Sequence, residues 1–254
     1  MESIAAAYGS SDDAASSDSE VECSESDELN HDQNEHVGGK RERSDEPQWK
    51  RAFPHVDGNW PSHVRIDIPV NQELRELVRH AIERAQEIVG DEVALVPFKQ
   101  LESDENDRLH LSLSRPFVLT YDQINSFVDS LRAALKWRQR FSVTLKRALV
   151  LVNDDKTRSF LALRVGEGEE EFLQVLRCVD QCFTRFELPT YYKDPIPHVS
   201  VASSVGEELA KLTADQCKHL FIPQHQTAIP RRFTTNVEAV HVAIGNKHYD
   251  IPLR

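Results

Sequence analysis

The 254-residue sequence predicts an α+β domain of two similar lobes with facing sheets, preceded by an acidic tail. Three observations predict it. Stretches in which apolar and polar residues alternate at period 2 are interleaved with longer stretches whose apolar residues recur every three or four positions, so both strands and amphipathic helices are expected. One strand pattern, His-x-Ser on an apolar backing, occurs once in each half: Arg108-Leu109-His110-Leu111-Ser112-Leu113-Ser114 and Ile196-Pro197-His198-Val199-Ser200-Val201-Ala202. Charge is also partitioned. The net charge is -12, yet residues 1–50 hold 14 acidic side chains against 4 basic ones, leaving 28 against 26 in the rest.

Residues 1–52 are rich in Ser, Asp and Glu and poor in large apolar side chains. Such a segment cannot bury enough surface to offset its ordering entropy, so a disordered tail is expected, with the domain spanning 53–254. The bland reading, a solvated tail, is favoured over a phosphorylated or RNA-competing one. Lys40-Arg41-Glu42-Arg43, with Lys50-Arg51 nearby, has the makings of a nuclear import signal, broken by acids. No apolar run is long enough to span a bilayer, and the N-terminus lacks a signal-peptide pattern. Cys23, Cys178, Cys182 and Cys217 are few and scattered, which favours reduced thiols in an intracellular protein over disulfides or zinc.

Order is expected from about Phe53. Gly58-Asn59-Trp60-Pro61 reads as a turn into a strand at 63–69. Asn71 caps a helix whose stripe is Leu74, Leu77, Val78, Ala81, Ile82, Ala85, Ile88 and Val89, ending at Gly90. A second apolar strand is expected at 93–101, a polar loop at 102–107, then the first His-x-Ser strand, ended by Pro116. Thr120 and Gln123 suit a capping box for a helix carrying Ile124, Phe127, Val128, Leu131 and Leu135. The second half repeats the grammar. Strands at 142–152 and 159–165 flank the turn Asn153-Asp154-Asp155-Lys156-Thr157, and a long helix carries Phe172, Val175, Val179, Phe183 and Phe186. Cys178 and Cys182 belong in or beside that helix's packed face. A loop at 188–197, the second His-x-Ser strand, a shorter helix at 207–220 and strands near 237–244 and 247–252 close the chain.

Successive strand side chains point to opposite faces, so His110 shares a face with Ser112, and His198 with Ser200. Leu111, Leu113, Val199 and Val201 lie behind them. If the two strands are neighbours, two imidazoles and two hydroxyls converge on one groove, a set suited to cleaving a phosphodiester without a metal. Histidine titrates near neutral pH, so one imidazole can take the proton from a ribose 2′-hydroxyl while the other protonates the departing 5′-oxygen. Each transfer contributes about 10²–10⁴-fold in rate. The hydroxyls can donate to phosphate oxygens as charge builds there. One His-x-Ser strand alone would be incidental; two balance the odds.

Other candidates are poorer. His55, His63, His225, His241 and His248 show no metal-ligand spacing, so structural or exposed roles are expected for them. No Gly-rich loop cradles a phosphate, and Ser203 and Ser204 lack a nucleophile elbow. Lys136-Trp137-Arg138-Gln139-Arg140, Lys146-Arg147 and Arg231-Arg232 can bind phosphates, but a domain charge near -2 argues against strong non-specific nucleic-acid binding. Tyr191-Tyr192 is either a base-stacking platform or a cover for the sheet edge, with nothing in the sequence to choose between them.

The paired motifs resemble those of the two-histidine (2H) phosphoesterases, and a wider set of stretches resembles, within them, the family of U6 snRNA phosphodiesterases. The wider set is Phe53-Pro54-His55 with Gly58-Asn59-Trp60, the two motifs, Lys156-Thr157-Arg158, Tyr192-Lys193-Asp194-Pro195, and Gly245-Asn246-Lys247 through Pro252-Leu253. The resemblance implies a 2H phosphoesterase fold and a nuclear, metal-independent, cofactor-free 3′-to-5′ exoribonuclease. Its substrate would be the single-stranded oligouridine tail of U6 snRNA, left with a 2′,3′-cyclic phosphate or 3′-phosphate end. No DNA or membrane partner is implied, and a monomer is the default expectation. By the same resemblance His110 and His198 are the catalytic histidines, Ser112 and Ser200 bind phosphate, and Tyr192 stacks on a base. Leu111, Ile196, Pro197 and Val199 adjoin them and would line the nucleotide site through their backbone. The motif is symmetric and does not assign acid and base; the resemblance makes His110 the base and His198 the acid. Ile196-Pro197 stands where a more polar or aromatic pair is expected, and Ala202-Ser203 follows the second motif, differences that bear on nucleotide preference. Two alternatives stand beside this reading: another 2H enzyme acting on RNA 2′,3′-cyclic phosphates or 2′-5′ linkages, and a non-catalytic RNA-binding protein.

Overall fold

The computed structural model describes residues 56–98, 101, 107–220 and 232–254. The acidic tail and its basic cluster, Cys23, Phe53-Pro54-His55, His225 and Arg231 lie outside the described residues, as does most of the loop expected at 102–107.

Strands β1 (Asn59–Pro69), β2 (Val96–Pro97), β3 (Arg108–Ser112), β4 (Phe117–Thr120), β5 (Phe141–Val152), β6 (Arg158–Val165), β7 (His198–Val205), β8 (Phe233–Val237), β9 (Ala239–Ile244) and β10 (Lys247–Pro252) form one sheet. Its order is β10-β9-β1-β3-β7-β6-β5-β8, with β4 on β1 and β2 on β7. The first four strands of that path make one lobe and the last four the other. Each lobe contributes its inner strand, β3 or β7, as the expected His-x-Ser strand. They meet through a short antiparallel contact that pairs Leu111 with Val199.

The helices are α1 (Gln72–Val89), α2 (Gln123–Leu135), α3 (Glu169–Arg185) and the short α4 (Ala214–His219). The α1 helix starts where Asn71 accepts a hydrogen bond from the Leu74 N–H at 2.9 Å and stops at Gly90, whose φ of 80° suits a residue without a Cβ. It buries Leu74, Leu77, Val78, Ala81 and Ala85. Each large side chain of this kind contributes about 1.5–3 kcal/mol. Behind the first lobe, Phe117 of β4, Phe127 of α2 and Phe183 of α3 pack with ring centroids 4.6–5.5 Å apart. These helix residues join one core cluster with Val64, Ile66, Leu109, Leu111, Val199 and Val201. The other faces of β1, β3 and the start of β7 are therefore left half-buried.

Several boundaries differ from expectation. The strand expected at 93–101 is reduced to Val96–Pro97 because Pro97 has no N–H to extend a ladder, although Val93, Leu95 and Phe98 are still buried. The β1 strand starts at Asn59, not 63, because Asn59–Ser62 pairs with β4, a strand the Pro116 signal concealed. The helix expected at 207–220 is a 3-10 turn, Glu208–Lys211, followed by α4, which Thr213 starts through a capping box with Gln216. At α2 only half the expected box forms: Gln123 accepts from the Thr120 N–H, while the Thr120 hydroxyl donates to Asp122. The β8 strand adds an edge to the second lobe. The final hairpin, β9–β10, returns to the first lobe and closes the free edge of β1. The fold is thus intertwined and not divided at mid-chain.

The thiols of Cys178, Cys182 and Cys217 are free. Burial pushes the Cys217 thiol up to about 11, which leaves it inert. Among the described residues no helix is long and apolar enough to cross a membrane.

Candidate active site

Burial alternates along both motif strands. Leu109, Leu111, Leu113, Pro197, Val199 and Val201 are buried, whereas His110, Ser112, His198 and Ser200 are half-buried on the opposite face. Leu111 lies opposite Val199 in an antiparallel pair. One step along each strand, in opposite directions, that register sets His110 against Ser200 and Ser112 against His198. An antiparallel pair has a local two-fold axis, here passing between Leu111 and Val199. Each imidazole therefore faces the other motif's hydroxyl, and the two histidines are diagonal neighbours, a relation in which Cα atoms lie about 7–8 Å apart.

The surroundings break this symmetry. Along the line of Ser112 and His198 the sheet register places Arg147, Arg164, His198, Ser112, Arg65, His241 and Asp250 side by side on one face. Along the line of His110 and Ser200 it places Leu149, Ala162, Ser200, His110 and Asp67. One line carries Arg and His side chains from Arg147 to His241 before it ends at Asp250; the other runs from an apolar side in the second lobe to a carboxylate in the first.

Arg65, Asp67, His241, Asp250 and Arg164 each have a charged partner. Arg65 Nε donates to Asp67 Oδ1 at 2.6 Å, both side chains being only 15% exposed, and the same guanidinium meets His63 Nε2. The His63 ring lies 5.8 Å from the His110 ring, centroid to centroid. His241 Nδ1 is 2.6 Å from Asp250 Oδ1 and 3.8 Å from Asp67 Oδ2. Arg164 pairs with Glu169 at 3.3 Å. His198 Nδ1 is 2.7 Å from the Ile196 carbonyl oxygen. A carbonyl only accepts, so Nδ1 carries the hydrogen.

Tyr192 and Ile196 pack with Tyr191 and Leu149 against Leu151 and Ala162, and Ala162 is the register partner of Ser200. The tyrosine pair thus borders the four polar side chains on their second-lobe flank. The Leu111 and Val199 side chains are fully buried behind the groove, and Pro197 is buried with its carbonyl accepting the Val165 N–H at 3.0 Å. Any contribution these three make to a nucleotide site is through the backbone.

Sequence reasoning missed His63, Arg65, Asp67, His241 and Arg164. The signal was present in part: His63, Arg65 and Asp67 alternate with buried Val64, Ile66 and Ile68, so they share a polar face. That this face adjoins His110 follows from strand pairing, which no local pattern records.

Two stretches that carried the family resemblance also meet. A Cβ added at Gly245 (φ 55°) would stand 2.5 Å from the Trp60 ring, and the Lys247 ammonium lies over Trp60 and Tyr121 at 5.8 and 5.0 Å.

The family model HVSL, described as an uncharacterised conserved protein, matches residues 19–252. U6 snRNA phosphodiesterase 1 of Rattus norvegicus is 33% identical over 211 residues, 80% of this chain and 73% of the relative. The Xenopus laevis protein of that name is 34% identical over 211 residues, 80% and 77% of the two chains. The Homo sapiens one is 32% identical over 211 residues, 80% and 73%. Among solved structures, Kluyveromyces marxianus Usb1 superposes with a TM-score of 0.56 at 16% identity, covering 76% of this chain and 98% of that one. Usb1 with uridine monophosphate gives the same score and coverage at 15% identity. At these identities the likeness is one of fold.

Proposed function

This chain belongs to the HVSL family and to the family of U6 snRNA phosphodiesterases, and from that membership we propose that it is a 3′-to-5′ exoribonuclease that trims U6 snRNA in the nucleus. The observation that carries the proposal is the Leu111–Val199 register, which sets His110 against Ser200 and Ser112 against His198 on one accessible face.

The reaction needs a base, an acid and donors to the phosphate. His110 takes the proton of the 2′-hydroxyl on the penultimate nucleotide as its oxygen bonds to the adjacent phosphorus. The bond from phosphorus to the 5′-oxygen of the terminal nucleoside breaks, and His198 Nε2 protonates that oxygen. The RNA keeps a 2′,3′-cyclic phosphate. The assignment of His198 as acid and His110 as base follows the family resemblance, and the Ile196 carbonyl on His198 Nδ1–H fixes which ring nitrogen of His198 carries the hydrogen. Ser112 and Ser200 donate to the non-bridging oxygens, where charge develops. Two titratable imidazoles supply both proton transfers, so the scheme requires no metal ion. Tyr192, on the apolar flank, receives a base by stacking, worth about 1–3 kcal/mol. Usb1, which shares this fold, has been solved with uridine monophosphate, and this supports a nucleotide ligand for the fold.

The test is digestion, with EDTA present, of an RNA bearing a 3′ oligouridine tail, beside a copy whose penultimate nucleotide is 2′-deoxy. A ladder from the 3′ end with cyclic-phosphate termini by mass, blocked by the deoxy nucleotide and lost in His110→Ala and His198→Ala, is expected. Cleavage only of preformed cyclic phosphates or 2′-5′ linkages would assign the site to another 2H activity. Tight RNA binding with no cleavage would make the chain a binding protein.

A further inference from the structure

Arg115 follows the first motif strand by three residues from Ser112, yet its guanidinium lies in the second lobe's territory. Its Cζ is 5.0 Å from the centroid of the Tyr192 ring, and its Nη2 is 3.3 Å from Asp154 Oδ2 in the turn between β5 and β6. Arg115 and Asp154 are 41% and 44% exposed. Three segments thus meet at one edge of the groove: the first-lobe chain leaving β3, the β5–β6 turn, and the loop at 188–197.

That loop has no ladder of its own around Tyr192, so the ring depends on side-chain contacts for its orientation. Tyr191 meets the Tyr192 ring edge-on at 5.3 Å and 81°. The Tyr191 N–H donates to Asp180 Oδ1 of α3 at 2.8 Å, anchoring the loop from behind. Arg115 supplies the contact from the other lobe. A planar guanidinium suits this place, since it stacks on a ring and forks to a carboxylate at once, which an ammonium does not.

We propose that Arg115 is a positioning residue for Tyr192: held by Asp154, it fixes the tyrosine ring for the terminal base and ties the base platform to the strand that carries His110 and Ser112. The proposal rests on the reading of Tyr192 as the base-stacking residue. Its effect is on recognition of the base, not on proton transfer. Loss of Arg115 raises KM for an RNA ending in uridine by roughly three- to fivefold, the scale of one exposed cation–π contact, and leaves kcat within about twofold.

The test is a double-mutant cycle. Wild type, Arg115→Ala, Tyr192→Leu and the double variant are assayed on an RNA ending in uridine and on the same RNA ending in an abasic ribose. Arg115→Lys serves as the conservative variant and recovers part of the lost KM. The expected result is that Arg115→Ala raises KM on the uridine substrate, has no further effect once Tyr192 is Leu, and has none on the abasic substrate, which also shows that the variant is folded. Fold-changes that multiply in the double variant, or an equal loss on the abasic substrate, would overturn the proposal, since Arg115 would then act on the phosphate chain or on stability. A wild type that cleaves both substrates alike would remove the base-platform reading of Tyr192, and this proposal with it. A wild type that cleaves neither would instead refute the exoribonuclease reading itself.

Discussion

Leu111 and Val199, both fully buried, face each other across the seam between the lobes, and their pairing sets the register of everything in front of them. Because the register is antiparallel, two copies of one three-residue motif become a site in which each histidine faces the other copy's serine. A slip of one residue would set one motif's histidine and serine on the face of the other motif's buried residues and dissolve the site. In the proposed mechanism the two histidines carry different protons, so neither substitutes for the other. His110→Ala and His198→Ala are each expected to lower single-turnover cleavage by about 10²–10⁴-fold. The double variant is expected to fall well short of the product of the two losses, because one concerted step is removed in each. Unchanged far-ultraviolet circular dichroism would show that the half-exposed histidines are not needed for folding.

In the proposed mechanism the serines donate hydrogen bonds to phosphate oxygens. Ser112→Ala and Ser200→Ala are expected to reduce kcat by about 10²–10³-fold, the cost of removing one preorganised donor to developing charge. Thr at either position keeps the hydroxyl, and its β-branch suits a strand. Ser112→Thr and Ser200→Thr should therefore recover most of the rate while the alanine variants do not. A general loss of packing would not be rescued in this way.

The motif strands and the long helices were legible because each is announced locally. Asn71 and Gly90 bracket α1 as the sequence implies, and the stripes of α2 and α3 reach the core as expected. What escaped is what depends on a partner. The Phe117–Thr120 segment is a strand only because Asn59–Ser62 lies beside it, and the final hairpin belongs to the first lobe because β1 has an edge to cover. The site divides in the same way. The His and Ser pairs announce themselves by repetition, whereas Arg65 and Asp67 gain meaning from the pairing of Ser112 with Arg65 and of His110 with Asp67.

That second set makes its own prediction. Arg65 and Asp67 form a largely shielded pair beside His110, with His241 3.8 Å from the carboxylate. Removing one partner leaves the other charge poorly solvated, whereas removing both does not. Arg65→Leu is expected to destabilise the fold by about 2 kcal/mol. Arg65→Leu with Asp67→Leu should lie closer to wild type. Urea unfolding of the three variants measures the coupling directly.

The basic line through Ser112 and His198 predicts a salt dependence. A single strand bound through phosphate contacts loses affinity with a slope of about -0.7 per contact in log affinity against log salt. Arg164→Gln removes a guanidinium next to His198 while leaving the strand intact, so the slope for KM should become shallower by about that amount if Arg164 touches one phosphate. Arg138→Gln, on a side chain that reaches Gln174 away from this face, should leave the slope unchanged. Equal slopes for all three proteins would remove Arg164 from the path of the RNA.

Asp180 links the tyrosine loop to the stability of the fold. Burial pushes its carboxyl above the usual value, and the hydrogen bond it accepts from the Tyr191 N–H offsets this only in part. A carboxyl raised in the native state holds its proton to higher pH there than in the unfolded chain. Its contribution is therefore favourable below the unfolded value of about 3.9 and is lost as pH rises through the raised native value. Asp180→Asn keeps an oxygen for the Tyr191 N–H but removes the charge. The variant should be at least as stable as wild type at pH 7, and its stability should decline less as pH rises from below the unfolded carboxyl value towards neutrality. Asp180→Leu removes the acceptor as well. It should loosen the 188–197 loop and raise KM for base-bearing RNA at every pH, a loss that Asn does not produce.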